Sequence, residues 1–323
     1  MISSEVMEMA IKIALLAIGF IMLIKSADLL VNGASSLAKK FSISEIAIGL
    51  TIVAFGTSAP ELIVNIISAT AGHNEICFGN IIGSNIFNTL MVLGIAGIVH
   101  PIFVERNTVK KEIPFVFIGT ILVFGLAVNF GFAGNVLSRL DGFILILSLI
   151  LFFFYVLGIS KDPIQSEVEI RLYPIPQSVI FVVIGIIGLF FGGNIVVKNS
   201  VQIARMLNVS EKFIGITIVA LGTSLPELVT SVMAVRKKRY GLAVGNVIGS
   251  NLFNIFLVLG ATSIINPITY PVSLNIDFYF LIIITLILFI SMFTGKRRQL
   301  DRIEAVIFVV LYVCYVVFLF FRR

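Results

Sequence analysis

The chain has 323 residues, of which 59 % are hydrophobic and only 12 % charged, with a mean hydropathy of +1.11. That composition excludes a soluble domain, and the apolar runs are continuous rather than alternating, which excludes a transmembrane barrel. The net charge of +6 lies in short clusters between those runs, so it offers no basic face to nucleic acid and reads as membrane topology.

Apolar segments fall at 9–33, 46–70, 76–98, 113–130, 140–158, 178–203, 213–235, 242–265, 272–293 and 303–321. A span needs about 20 apolar residues, so the pattern predicts an all-α integral membrane protein with ten transmembrane helices. The first run continues without a small-residue cleavage site into Asp28 and Asn32, so it is expected to be a retained span rather than a signal peptide. Within it Lys25 and Asp28, three apart, predict an intrahelical pair or a snorkelling lysine. The longest polar stretch, Gly158 to Gln177, is too short to enclose a core. Cys77 and Cys314 supply no disulfide framework and are expected to be buried hydrophobes. His73 and His100 lie near span ends and are expected at the surface. Alternate loops divide Lys and Arg 15 to 6, with two more inside spans. The bias predicts both termini outside and the loop between the fifth and sixth spans in the cytoplasm.

The chain repeats itself. Gly49 to Glu61 reads GLTIVAFGTSAPE and Gly215 to Glu227 reads GITIVALGTSLPE, with ten of thirteen positions identical at an offset of 166. Gly79 to Gly94 (GNIIGSNIFNTLMVLG) and Gly245 to Gly260 (GNVIGSNLFNIFLVLG) repeat at the same offset, as do Pro101 and Pro267. The expected organisation is therefore a five-helix repeat over 1–158, a cytoplasmic connecting loop over 159–177, and a second repeat over 178–323. An odd number of spans per unit inverts the second copy in the membrane.

Glu61 and Glu227 are the chemical centre of this pattern. Each lies mid-span without a Lys or Arg in its own helix core, where a bare carboxylate costs several kcal/mol. Inverted copies are expected to bring the two together near the midplane, where repulsion demands a proton or a cation between them. Thr57 and Ser58 precede Glu61 by one helical turn, as Thr223 and Ser224 precede Glu227, so each trio is expected to share a face. Pro60 and Pro226 cannot donate to Gly56 and Gly222, leaving carbonyls that are tolerated at membrane depth only where they line a cavity. Ser84 with Asn88, and Ser250 with Asn254, add a hydroxyl and an amide at four-residue spacing. Gly79 and Gly83, and Gly245 and Gly249, are expected to let the third span approach the second and the eighth approach the seventh. These oxygens suit a hard cation such as calcium, and soft ligands are absent from the set.

The paired GTSxPE and GNxxGSNxxN motifs, the ten expected spans and the inverted repeat resemble the cation/calcium exchanger superfamily, in particular its prokaryotic sodium/calcium antiporter branch. The resemblance covers nearly the whole chain. It implies that Glu61 and Glu227 coordinate calcium, with backbone help from Thr57 and Thr223. Sodium would use these together with Ser58, Ser224, Ser84, Ser250, Asn88 and the backbone oxygens of Ala54 and Ala220. Some members carry Asp at the position of Asn254, whereas here both copies have Asn, which limits the site to two carboxylates. The resemblance further implies that the first and sixth spans slide against the other eight.

The function expected is exchange of Ca2+ for Na+ across the cell membrane of a prokaryote by alternating access, electrogenic at three sodium per calcium. The expectation includes no cofactor, no nucleic acid, no obligatory protein partner and no enzymatic activity. Proton-driven calcium exchange through the same glutamates is the nearest alternative, and a cation channel is the alternative from another class. An intramembrane hydrolase using Ser58 or Ser224 lacks a general base in either motif helix.

Overall fold

The computed structural model describes residues 4–131, 134–159, 170–207 and 220–322. Residues 160–169 of the expected connecting loop, and residues 208–219 with Lys212 and the first five positions of the second thirteen-residue repeat from Gly215, lie outside the described residues.

Two long helices form a pair of their own. α1 (Ser4–Lys40) has 37 residues and α9 (Ile175–Met206) has 32. They pack along each other through small residues, as helices do where lipid removes the hydrophobic drive. A Cβ on Gly185 would lie 2.8 Å from the Leu30 backbone nitrogen, and one on Gly33 would lie 2.6 Å from the Ser178 carbonyl. Gly19, Gly33, Gly185, Gly188 and Gly192 thus serve the pair itself, whereas Gly193 faces Gly222 and Pro226.

The doubled motifs build broken helices. α2 (Glu45–Ile48), capped by Ser44, runs through a π turn (Gly49–Val53) into α3 (Ala54–Thr57). After Ser58 the chain restarts as α4 (Ala59–Thr70), bent by 45° from the segment before it. Pro60 explains the break, because proline is compatible with the first turn of a helix but not with its interior. α5 (Asn74–Phe87), a π turn (Asn88–Val92) and α6 (Leu93–Val99) make one span, and a π turn at Thr108–Glu112 leads into α7 (Ile113–Ala127). α8 (Arg139–Ile159) precedes the α9 helix. The second half has α10 (Ala220–Gly222), α11 (Leu225–Arg236), α12 (Tyr240–Leu252), a π turn (Phe253–Val258), α13 (Leu259–Ile265), α14 (Asn275–Ser291) and α15 (Arg302–Phe321).

Among the described residues seven helices are long and apolar enough to cross a membrane, or eight if the bent pair is one span. The chain is an all-α, multi-span membrane protein. The expected ten are not all counted, because α7 has only 15 residues, short of the usual span length, and the first part of the expected seventh span lies outside the described residues.

Asn74–Val99 and Tyr240–Ile265 are central, with 78 % and 94 % of their apolar windows buried, against 11 % for Met7–Lys40. Exposed Leu147, Phe154, Ile187 and Val310 line the outer faces of α8, α9 and α15. Two tiny antiparallel ladders cross between the halves. Ile102–Phe103 pairs with Gln299–Leu300, and Val136–Leu137 pairs with Ile268–Thr269. Ile102 and Ile268 are equivalent at the 166 offset, so each half lends its strand to the other.

Three expectations change here. Gly245 and Gly249 meet the α2–α3 segment of the first half: a Cβ on Gly245 would lie 2.6 Å from the Ile46 carbonyl, and one on Gly249 2.6 Å from Ala54 Cβ. The eighth span therefore uses its glycine face across the halves, where the π turn brings backbone closest. Asp28 pairs with Lys237 at 2.6 Å, not with Lys25, because Lys237 also reaches Asn32 Oδ1 at 2.6 Å and Asn32 in turn donates to Asp28 at 3.1 Å. Cys77 is buried as expected, but Cys314 is exposed on the outward face of α15.

Candidate cation site

The break at Ser58 redirects the motif side chains. It sets Glu61 in the first turn of α4 and Glu227 in the first turn of α11, each beginning just after its serine. A carboxylate there meets the positive end of a helix dipole. Both glutamates are 0 % exposed.

The serine hydroxyl of each motif serves the carboxylate of the other. Ser58 Oγ donates to Glu227 Oε1 at 3.2 Å, and Ser224 Oγ donates to Glu61 Oε1 at 3.1 Å. The kink supplies the reason, since Ser58 and Ser224 are the residues at which the helices break (φ −85°, ψ 3° and φ −94°, ψ 7°). A second donor comes from the adjoining span: Ser84 Oγ to Glu61 Oε1 at 3.4 Å, and Ser250 Oγ to Glu227 Oε1 at 3.3 Å. Every one of these bonds has its equivalent at the 166 offset.

The threonines are held by asparagines. Thr57 Oγ1 donates to Asn246 Oδ1 at 3.1 Å and lies 3.3 Å from Ser250 Oγ. Its equivalent, Thr223 Oγ1, reaches Asn80 Oδ1 at 3.5 Å. Asn246 Nδ2 donates to Ser231 Oγ at 2.9 Å, where the first half instead has Asn80 Nδ2 donating to Asn65 Oδ1 at 2.7 Å. Asn65 then donates to the Cys77 carbonyl at 3.1 Å. The Ala54 carbonyl accepts from Ser58 N at 3.0 Å and lies 3.3 Å from Thr57 Oγ1. Ala220 opens α10 at the equivalent place.

The structure thus groups Glu227 with Ser58, Ser250, Thr57 and Ala54, and Glu61 with Ser224 and Ser84, while Thr223 reaches Asn80. Asn88 and Asn254 sit at the starts of the two π turns on the helices carrying Ser84 and Ser250. π turns widen a helix locally and recur at functional sites. Reasoning by four-residue spacing overlooked Asn80, Asn246, Asn85 and Asn251. The signal was present, because all four stand in the doubled GNxxGSNxxN motif.

What this network leaves unbonded matters most. Glu61 Oε2, Glu227 Oε2, Asn254 Oδ1 and both polar atoms of Asn88 are buried without a hydrogen-bond partner among the described residues. Such atoms carry a desolvation cost of roughly 1–3 kcal/mol each, more for charged groups, unless something else satisfies them. The acceptor oxygens among them suit a hard cation. Among the described residues there is no cluster of three or more His, Cys, Asp or Glu, so any charge compensation rests on two carboxylates.

The model of the family described as "Sodium/calcium exchanger protein" matches residues 11–158 and 177–321. The chain belongs to the sodium/calcium exchanger family. It is 37 % identical to the putative antiporter CaxA of Alkalimonas amylolytica, over 94 % of this chain and 97 % of that protein. To the sodium/calcium exchanger MaX1 of Methanosarcina acetivorans it is 31 % identical, over 95 % and 98 %. Among solved structures, the sodium-calcium exchanger NCX_Mj superposes with a TM-score of 0.81 at 30 % identity, covering 96 % of this chain and 99 % of that one. The family's two matched blocks stop and restart around the expected connecting loop.

Proposed function

We propose that this exchanger moves Ca2+ in one direction and Na+ in the other by alternating access, from a single site built on Glu61 and Glu227. The observation that carries the reading is the pair of fully buried carboxylates, each with one oxygen held by two serines and the other unpartnered. Two carboxylates balance one calcium. The same charge with the surrounding hydroxyl, amide and carbonyl oxygens of Thr57, Thr223, Ser58, Ser224, Ser84, Ser250, Asn88, Asn254, Ala54 and Ala220 accommodates several sodium ions instead.

In this reading the chain forms ten spans in two inverted five-helix repeats, 1–158 and 178–323, joined by a cytoplasmic loop at 159–177, with both termini outside. The exchanged serine bonds and exchanged strands support it, since a two-fold relation maps each onto its partner. The paired α1 and α9 form the moving unit. The coupling is three sodium per calcium, so that oxygen dipoles hold one sodium beyond the charge of the two glutamates. Each cycle then moves one net charge, worth about 2.3 kcal/mol per 100 mV.

The test is calcium uptake into proteoliposomes under imposed sodium, proton and potassium gradients, with potassium and valinomycin clamping the voltage. A sodium gradient should drive uptake, and the rate and end-point should depend on voltage. Uptake driven by a pH gradient alone would replace sodium with protons, passage of calcium without a counter-ion would replace the exchanger with a channel, and voltage independence would reject three-for-one coupling.

A further inference from the structure

Asn88 and Asn254 occupy equivalent places in the doubled motif, yet their amides are not held alike. Among the described residues both polar atoms of Asn88 lack a partner, whereas Asn254 lacks one only at Oδ1. Asn254 Nδ2 donates to Asn85 Oδ1 at 3.0 Å, and Asn85 Nδ2 donates to the backbone carbonyl of Asn251 at 3.3 Å. That last bond determines how both amides face. A backbone carbonyl can only accept, so the Asn85 atom beside it has to be nitrogen, and the Asn85 atom beside Asn254 has to be oxygen. Two oxygens cannot share a hydrogen bond. Asn254 therefore turns its nitrogen to Asn85 and its oxygen the other way. Its oxygen belongs to the residue one turn after Ser250, whose hydroxyl is on Glu227.

The first half lacks this lock. There the equivalent of Asn85 is Asn251, whose Nδ2 donates to Thr89 Oγ1 at 3.0 Å. Thr89 corresponds to Ile255 at the 166 offset, so the second half has no hydroxyl to divert Asn85 in the same way. One chemical difference between the repeats thus leaves Asn254 oriented and Asn88 without an orienting bond.

We infer that Asn85 is a positioning residue that presents the carbonyl oxygen of Asn254, rather than its amide nitrogen, to the transported cation. The inference rests on the proposed function. An amide reversed at Asn254 would point N–H dipoles at a cation that its carbonyl otherwise attracts. With Asp at 254 the orientation would no longer matter, since both terminal atoms are oxygens.

The test compares the parent, Asn85→Leu, Asn254→Asp and the double variant. Calcium binding to purified protein is measured by titration calorimetry, and sodium-driven calcium uptake is measured in proteoliposomes. Asn85→Leu removes the acceptor at similar volume and should raise the calcium Kd and half-saturation by roughly five- to tenfold, the effect of one orienting hydrogen bond. The saturating rate should stay within about twofold. In the Asn254→Asp background the same substitution should shift Kd by less than about twofold. An equal shift in both backgrounds, or no shift in the parental one, overturns the inference. Should Asn85→Leu not purify as a monodisperse protein, Asn85→Ala decides: it removes the same acceptor, so a Kd raised in the parental background but not in the Asn254→Asp background supports the inference, and an equal shift in both backgrounds or no shift overturns it. A parent that neither binds nor transports calcium removes the proposed function and this inference together, a result distinct from parental transport with an unaltered Asn85→Leu.

Discussion

Replacing Glu61 by Gln isolates charge from shape. Ser224 at 3.1 Å and Ser84 at 3.4 Å both donate to Oε1, and the carbonyl oxygen of glutamine can accept both. The local fold should survive. What changes is the other terminal atom: the unpartnered Oε2 becomes an NH2 group that carries no charge and directs N–H dipoles toward the cation. A unit charge about 4 Å from another is worth roughly 4 kcal/mol at an effective dielectric constant near 20, so a carboxylate beside a divalent ion contributes about 8 kcal/mol before desolvation. Retaining only half of that after desolvation leaves about 4 kcal/mol, nearly a thousandfold in calcium affinity. The corresponding loss for a single sodium ion is half as large in free energy. Sodium-driven calcium uptake by Glu61→Gln should therefore fall to background at millimolar calcium, and Glu227→Gln should match it. Elution as a monodisperse peak and thermal stability close to the parent would establish that folding is intact. Exposed His73 serves as a control, and its Ala variant should transport normally. Near-parental calcium uptake by either glutamine variant would refute a site that depends on two carboxylates.

Three further outcomes are expected. Ser58→Ala and Ser224→Ala each remove a donor to the carboxylate of the opposite motif, so each should raise calcium half-saturation by roughly tenfold to a hundredfold, the range of a hydrogen bond to a charged group; a pair with no effect in concentration-dependent flux would detach the serines from the site. Lys237→Ala frees Asp28 and Asn32 of α1 from the turn after α11. Since partly exposed ion pairs contribute about 1 kcal/mol or less, saturating turnover should change by about two- to fivefold while calcium binding measured by calorimetry stays within about twofold, and an unchanged turnover would deny the contact any part in the motion of α1. Gly245→Ala places a Cβ 2.6 Å from the Ile46 carbonyl, a backbone neighbour that cannot rotate away, so thermal stability in detergent should drop by several degrees; a parental melting curve would show that α12 can move off the α2–α3 segment without cost.

Composition and periodicity were enough to establish a multi-span helical membrane protein, because twenty-residue apolar runs have one economical fate in a bilayer. The 166-residue offset, read from Thr, Ser, Pro, Glu and Asn rather than from apolar residues, identified the two glutamates and their oxygen-bearing neighbours, since polar groups at membrane depth are retained only with a partner or a role. Which group partners which was decided by tertiary structure. Helical spacing put Ser58 and Glu61 on one face, but that the serine, at the proline break, bonds Glu227 follows only from the facing of the two half-helices. Lys25 and Asp28 satisfied a helical pairing rule, yet Lys237, distant in sequence, lies within 2.6 Å of the carboxylate. The glycines of the eighth span signalled close packing in the sequence, while their partner, the π turn of the second span, depended on how the halves interlock. The orientation of Asn254 is further still from the sequence, because it follows from a backbone carbonyl at Asn251 that has no signature in residue type at all. Local rules see neighbours along one helix, and a site assembled between two repeats is made of contacts that no single helix contains.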